Sequence, residues 1–327
     1  MKAACRVGAL VATLSAFWMQ DALAQSTPDC IDGAVSIPLL GGKGDSPILP
    51  ATLDGKEIAL YFSSGFDVLY VGDMEGFDTD DTRRTHVIMT NREHSQSRPV
   101  IKAGTLTLGG LDLQTPDMIQ LIDYPMQHIG TRPLIGTIGS TFFNRLALLL
   151  DMPHGVFGLI RFRQDAACSN AQAGFIGTGA QALPLTGNDT IMGLIEGKER
   201  ELSLDSDVPV TTLPERWLNR PAPGNSADDA QHPTVALFGD LHSRLRGTTL
   251  KTFRIGQESL DNMPVFAQRD LGVGLLGVDF FQSHIVLFDY PNHRVFLLPA
   301  RSQVTRPGQN LHFDRFREGQ TSVKEKR

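Results

Sequence analysis

Leu53-Asp54-Gly55-Lys56-Glu57 leads through Ile58 into Ala59-Leu60-Tyr61-Phe62-Ser63-Ser64-Gly65, and the chain carries the same pattern again further on. Ile195-Glu196-Gly197-Lys198-Glu199 leads through Arg200 into Glu201-Leu202-Ser203-Leu204-Asp205-Ser206-Asp207, at the same spacing and without gaps. Asp-Gly or Glu-Gly between apolar segments is a strong hairpin signal, so each copy is expected to be two strands joined by a tight turn.

Working outward, the repeat extends through both halves. Leu106-Thr107-Leu108-Gly109 with Pro116 is echoed, after a one-residue gap, by Phe253-Arg254-Ile255-Gly256 with Pro264. Ile135-Gly136-Thr137-Ile138-Gly139-Ser140-Thr141-Phe142-Phe143 matches Val273-Gly274-Leu275-Leu276-Gly277-Val278-Asp279-Phe280-Phe281, and Asp151-Met152-Pro153 matches Asp289-Tyr290-Pro291. Four blocks in the same order make an internal duplication, which settles architecture before any local reading does. Between the blocks, apolar residues alternate or form short runs bounded by Gly, Pro, Asn and Asp, as strands do. Helix is expected only in short turns, at Phe142–Arg145, Phe280–His284 and Pro214–Asn219.

The duplication divides 327 residues into a leader (1–24), a first lobe (31–163), a linker (164–182), a second lobe (183–300) and a tail (301–327). The linker is rich in Ala, Gly, Gln and Ser. The tail carries seven Lys or Arg against three acids and is expected to be a flexible, solvated end. A hydrophobic fraction of 41% and a charged fraction of 20% exclude a highly charged disordered chain. A net charge of −6 argues against a nucleic-acid partner, which selects for a basic footprint.

Lys2 and Arg6 precede an apolar run from Val7 to Trp18, and Ala22-Leu23-Ala24 supplies small residues before Gln25. This pattern predicts a signal peptide cut near Ala24 and an exported protein, periplasmic or extracellular. The run is shorter than the ~20 residues that a membrane-spanning helix needs, and no later segment reaches that length. Cys5 leaves with the leader, so Cys30 and Cys168 remain. In an oxidising compartment they are candidates for one disulfide; two unrelated buried thiols are the alternative, because distance is not readable from spacing.

At these residues the sequence resembles the aspartic proteases of the pepsin and retropepsin group, closest to two-lobed retropepsin-like proteins exported by bacteria. The likeness covers most of the chain after the leader. In that family each lobe carries a strand ending in Asp-Thr/Ser-Gly, and later a hydrophobic-hydrophobic-Gly segment that passes beside it. The second element stands here twice, at Ile138-Gly139 and at Leu276-Gly277. The resemblance implies an all-β fold of two barrel-like lobes related by a pseudo-twofold axis, with flap hairpins over a peptide cleft. It also implies no cofactor, and two aspartates that share one proton and one water.

The first element departs from the pattern. In lobe 1 Ser63 stands where the aspartate belongs, giving Ser63-Ser64-Gly65; in lobe 2 Asp205-Ser206-Asp207 keeps the acid and loses the glycine. A serine hydroxyl does not ionise near neutral pH and cannot share the proton that differentiates two carboxylates. Ser63 could still hydrogen-bond a water together with Asp205. Ser64 and Ser206 keep the position whose hydroxyls lock the loops across the axis in the family. Asp67 is a poor replacement acid, because it would have to reach the same water from the following segment.

Other chemistries find little support. No G-x-S-x-G, H-E-x-x-H or G-K-[ST] motif occurs, and the nine histidines show no metal-ligand spacing, so neither metal nor cofactor is expected. Ser63 as a nucleophile would need a base, for which His86, His94, His232 and His242 in the flap segments are the candidates. The sequence is therefore read as an exported, monomeric pseudopeptidase that binds extended peptide between its lobes. The alternative is an active aspartic endopeptidase that uses Asp205 with an unusual partner.

Overall fold

The computed structural model describes residues 30–72, 74–89, 95–114, 116–121, 126–187, 189–218, 246–268 and 271–313. The first half opens with β1 (Ile31–Pro38), then β2 (Ile48–Leu53) and β3 (Lys56–Ser63), the first copy of the repeated hairpin. Its turn has Asp54 at φ 51° and Gly55 at φ 75°, the paired left-handed geometry that a two-residue hairpin requires. β4 (Leu69–Val71), the long hairpin of β5 (Thr79–Met89) and β6 (Ser95–Ala103), the small hairpin of β7 (Leu106–Leu108) and β8 (Leu111–Asp112), and β9 (Asp117–Gln120) follow. β10 (Gln127–Ile129), β11 (Arg132–Gly139), β12 (Ala147–Asp151) and β13 (Val156–Phe162) complete it.

The second half begins after a short helix, α1 (Ala171–Ile176), with β14 (Gln181–Pro184). The second copy of the hairpin is β15 (Thr190–Ile195) with β16 (Lys198–Leu204), turning through Glu196 at φ 49° and Gly197 at φ 77°. Then come β17 (Thr212–Pro214), β18 (Arg246–Leu250), β19 (Phe253–Ile255), β20 (Glu258–Ser259), β21 (Met263–Gln268), β22 (Gly274–Leu276), α2 (Val278–Phe281), β23 (His284–Asp289) and β24 (Arg294–Pro299).

The duplication in sequence is a duplication in pairing. In the first lobe β3 lies parallel to β11, which is antiparallel to β4, which is parallel to β9. In the second, β16 lies parallel to β22, which is antiparallel to β17, which is parallel to β21. The repeated turns are even tied down alike, with the Asp54 amide donating to Thr105 O and the Glu196 amide to Thr252 O, both at 3.0 Å. The described chain is thus all-β, with two curled sheets and a few short helices.

A third sheet joins the halves in the order β1-β13-β12-β23-β24-β14. Its centre is the antiparallel pair β12 and β23, with Leu149 opposite Leu287, so the pseudo-twofold relation passes between them. One face of this sheet enters the main core through Leu148, Leu150, Phe157, Val286 and Phe288. The other face is covered by Ala171, Phe175 and Ile176 of α1. Cys30 and Cys168 are disulfide-bonded, which joins the chain just before β1 to the turn Ala166–Cys168 beyond β13.

Three expectations shift. The helical turns after the Gly segments start earlier, at Ser140–Phe143 and Val278–Phe281, because the Ser140 and Val278 amides are taken at once by Phe66 O and Val208 O. The third is Glu215–Trp217. The stretch read as a linker holds α1, whose apolar side has a sheet to bury against. The tail is held against the first lobe over residues 306–313: the Lys43 amide donates to Arg306 O, Lys43 and Pro307 bridge, and Phe313 is buried. Residues 314–327, and the leader, lie outside the described residues. Among the described residues no helix is long and apolar enough to cross a membrane.

Candidate functional site

β3 ends at Ser63 directly beside Gly139, the end of its parallel neighbour β11, and β16 ends at Leu204 beside Leu276. The two repeated loops therefore leave neighbouring strand ends at the meeting of the lobes. The glycine of each hydrophobic-Gly segment is needed for this approach. A Cβ on Gly139 would lie 2.6 Å from Phe66 O, and one on Gly277 2.6 Å from Val208 O. Ile138 and Leu276 are fully buried beneath them.

The middle residues of the loops form a reciprocal lock. The Ser64 amide donates to Ser206 Oγ at 3.1 Å, and the Ser206 amide donates to Ser64 Oγ at 3.0 Å. Each hydroxyl then passes its own proton across the axis, Ser64 to Leu204 O and Ser206 to Phe62 O. All four bonds cross between lobes and are buried, so breaking one leaves polar groups without water or partner.

The first and third residues meet crosswise. Ser63 Oγ donates to Asp207 Oδ1 at 2.8 Å, within a buried pair. On the other side the Asp205 carboxyl lies against Gly65, where a Cβ would come within 2.7 Å of it. Asp205, Ser206 and Asp207 are all buried. Ser63, read from the sequence as a residue that could share a water with Asp205, donates its hydroxyl proton to Asp207. The reason is geometric: in paired loops related by a twofold axis, the third residue of one sits opposite the first residue of the other. Asp207 fills, with an acceptor, the space that Gly65 leaves open for Asp205.

One neighbouring acid feels this cluster. Asp189, at the entry to β15, is raised above the usual carboxylate range by burial first; the Ser203 hydroxyl bonded to it lowers it, and the charge of Asp205 raises it further. Asp279 in α2 is also raised by burial, opposed by the Thr211 amide and hydroxyl that donate to it at 2.8 Å. The Thr211 hydroxyl in turn accepts from the Gly277 amide at 3.3 Å, so Asp279 steadies the second hydrophobic-Gly segment.

Asp67 has an exposed side chain, while its carbonyl accepts from Thr141 Oγ1. His86 sits on β5 opposite Arg98; His94, His232 and His242 lie outside the described residues. Among the described residues no group of three or more His, Cys, Asp or Glu is arranged to hold a metal ion.

Ser46 belongs to the site and was not singled out in the sequence. Its hydroxyl donates to the Asp207 carbonyl at 3.3 Å and meets His312 Nδ1 at 2.9 Å. Burial pushes His312 down to about 4, against the opposing pull of the Asp45 charge.

No protein-family profile matches the chain, and no curated protein matches it. Among solved structures, the chain is similar to the crystal structure of the aspartic proteinase from Irpex lacteus, with a TM-score of 0.49 and 12% sequence identity. That similarity covers 84% of this chain and 98% of the other.

Proposed function

We propose that this is an exported, monomeric pseudopeptidase related to the aspartic peptidases, which holds an extended peptide between its two lobes. The observation that carries the reading is the bond from Ser63 Oγ to Asp207 Oδ1. Aspartic catalysis divides two carboxylates into a base and an acid by making them share a proton over one water. Here the first-lobe position offers a hydroxyl, and that hydroxyl's proton is committed to a third residue. Losing one member of a catalytic unit commonly costs on the order of 10⁴ or more in rate.

Peptide binding is supported separately from catalysis. The loop lock that fixes the two lobes is intact, and β5 is an edge strand of the first-lobe sheet, able to add a further extended strand through its backbone groups. The disulfide agrees with export.

A second reading is an active aspartic endopeptidase that uses Asp205 with an unusual partner. The presence of Asp207 on the same loop favours it, because a second carboxylate is delivered to Ser63. Purified protein offered a peptide library from pH 3 to 7, beside Asp205→Asn, separates the two. The pseudopeptidase reading expects binding and no cleavage that depends on Asp205. Cleavage by the parent that vanishes in Asp205→Asn would establish the second.

A further inference from the structure

Residues 306–313 run back over the first lobe and end at the active loops. The Lys43 amide donates to Arg306 O at 2.8 Å and the Ser46 amide to Leu311 O at 2.9 Å. Asp45, 2% exposed, is the anchor: Oδ1 accepts the amides of Gln309 and Leu311 at 2.8 and 2.9 Å, and Oδ2 accepts the Gly42 amide at 2.7 Å. Gly308 passes so close that a Cβ there would meet Lys43 O at 2.2 Å. This strap then places His312 on Ser46, and through Ser46 on Asp207.

Its last described residue, Phe313, is buried among aromatic rings: Phe66 at 5.9 Å, Tyr61 at 6.1 Å and Tyr70 at 6.3 Å between centroids. Successive residues of a strand point to opposite faces. Tyr61 therefore shares its face of β3 with Ser63, while Leu60 and Phe62 point into the main core. Phe66 follows the Ser63-Ser64-Gly65 loop by one residue. Phe313 thus packs on the side of the first lobe that Ser63 faces, within a small apolar cluster separate from the main core.

The second lobe shows that the fold itself does not demand this filling. The positions equivalent to Tyr61, Phe66 and Tyr70 are Ser203, Val208 and Thr212, and the cluster there is built on Val208, Leu271 and Leu275, with Phe266 from another strand partly buried against it. The aromatic pocket is an elaboration of one lobe, and it is the lobe that the strap crosses.

We propose that residues 306–313 are an in-cis occupant of an aromatic side-chain pocket beside the active loops, and that with the strap displaced this pocket takes an aromatic side chain of an extended peptide. The proposal rests on the reading that the lobes hold such a peptide, and it adds a side-chain preference and a self-blocking segment.

The test keeps the full chain for folding and then frees the strap. A recognition site for a sequence-specific protease is inserted after Gln303, an exposed position, and the folded protein is nicked there. Fluorescent synthetic peptide 304–313 is added, together with its Phe313→Ala version and an unrelated extended peptide containing one Phe. The expected result is exchange of the fragment for the labelled peptide with the circular dichroism spectrum retained. The alanine peptide should bind about 100-fold more weakly, and the unrelated peptide should compete only while it keeps its Phe. Loss of the folded spectrum on release, absence of exchange, or equal binding of the alanine peptide would overturn the proposal. Exchange of the chain's own peptide without competition by the unrelated one would overturn its second half. Cleavage of an added peptide, seen as a change in mass, would refute the pseudopeptidase reading while leaving the exchange result readable.

Discussion

Ser63 Oγ donates to Asp207 Oδ1 at 2.8 Å, so the first residue of one repeated loop is bonded to the third residue of the other. A hydroxyl facing a carboxylate is a satisfied pair at neutral pH, whereas two carboxylates in the same place have to share a proton. Replacing Ser63 alone by Asp therefore does more than restore a missing acid.

Ser63→Asp sets a second buried carboxylate against Asp207. Its stability at pH 7 should fall by about 3 kcal/mol, and the loss should shrink toward pH 4, where one of the pair takes up a proton. Adding Asp207→Gly should recover most of the loss at pH 7. Urea midpoints of the single and double variants at both pH values check this.

Ser64 and Ser206 hold the lobes together through buried bonds in both directions. Ser64→Ala strands the Ser206 amide and the Leu204 carbonyl, for a loss of about 3 kcal/mol. Ser206→Ala should cost a similar amount, and the double variant less than the sum, because the first loss already loosens the shared contact. A double-mutant cycle in urea gives the coupling.

Gly65 leaves the space that the Asp205 carboxyl fills. Gly65→Ala should destabilise by about 2 kcal/mol through overpacking, and Asp205→Ala on the same chain should relieve it. Thermal melts of the two singles and the double test whether the clash is with Asp205.

The repeat made the topology legible because every element that recurs in sequence recurs in pairing, from the Asp54-Gly55 and Glu196-Gly197 turns to the Gly139 and Gly277 crossings. The bond between Ser63 and Asp207 was not legible, since which loop position faces which depends on a symmetry axis and not on local spacing. The strap was hidden for a different reason. Its residues read as a polar, basic end, and what holds them is the carboxylate of Asp45, a distant residue that accepts backbone amides. Leu311 and Phe313 were the apolar signals within it.

His312 has a pH consequence. Its folded value of about 4 lies below the ordinary ~6.5 of an unfolded histidine. Between these values the unfolded chain binds a proton that the folded chain does not, so stability falls as pH drops through that window. The contribution is complete above about pH 6.5 and on the order of 2 to 3 kcal/mol is lost by about pH 4. His312→Asn should remove this component, which a comparison of urea midpoints at pH 7 and pH 4.5 would show as a flatter profile.

The central claim is that catalysis is impaired at two positions, Ser63 and Asp207, in an otherwise intact pair of loops. Its most direct measurement is kcat/KM on a cleavable library peptide for Ser63→Asp/Asp207→Gly relative to the parent, with Asp205→Asn added to each. The account predicts a rise of at least about 100-fold in the double variant, abolished by Asp205→Asn, against a parent at background. A parent that already cleaves as fast as the double variant, and loses that activity with Asp205→Asn, would contradict it.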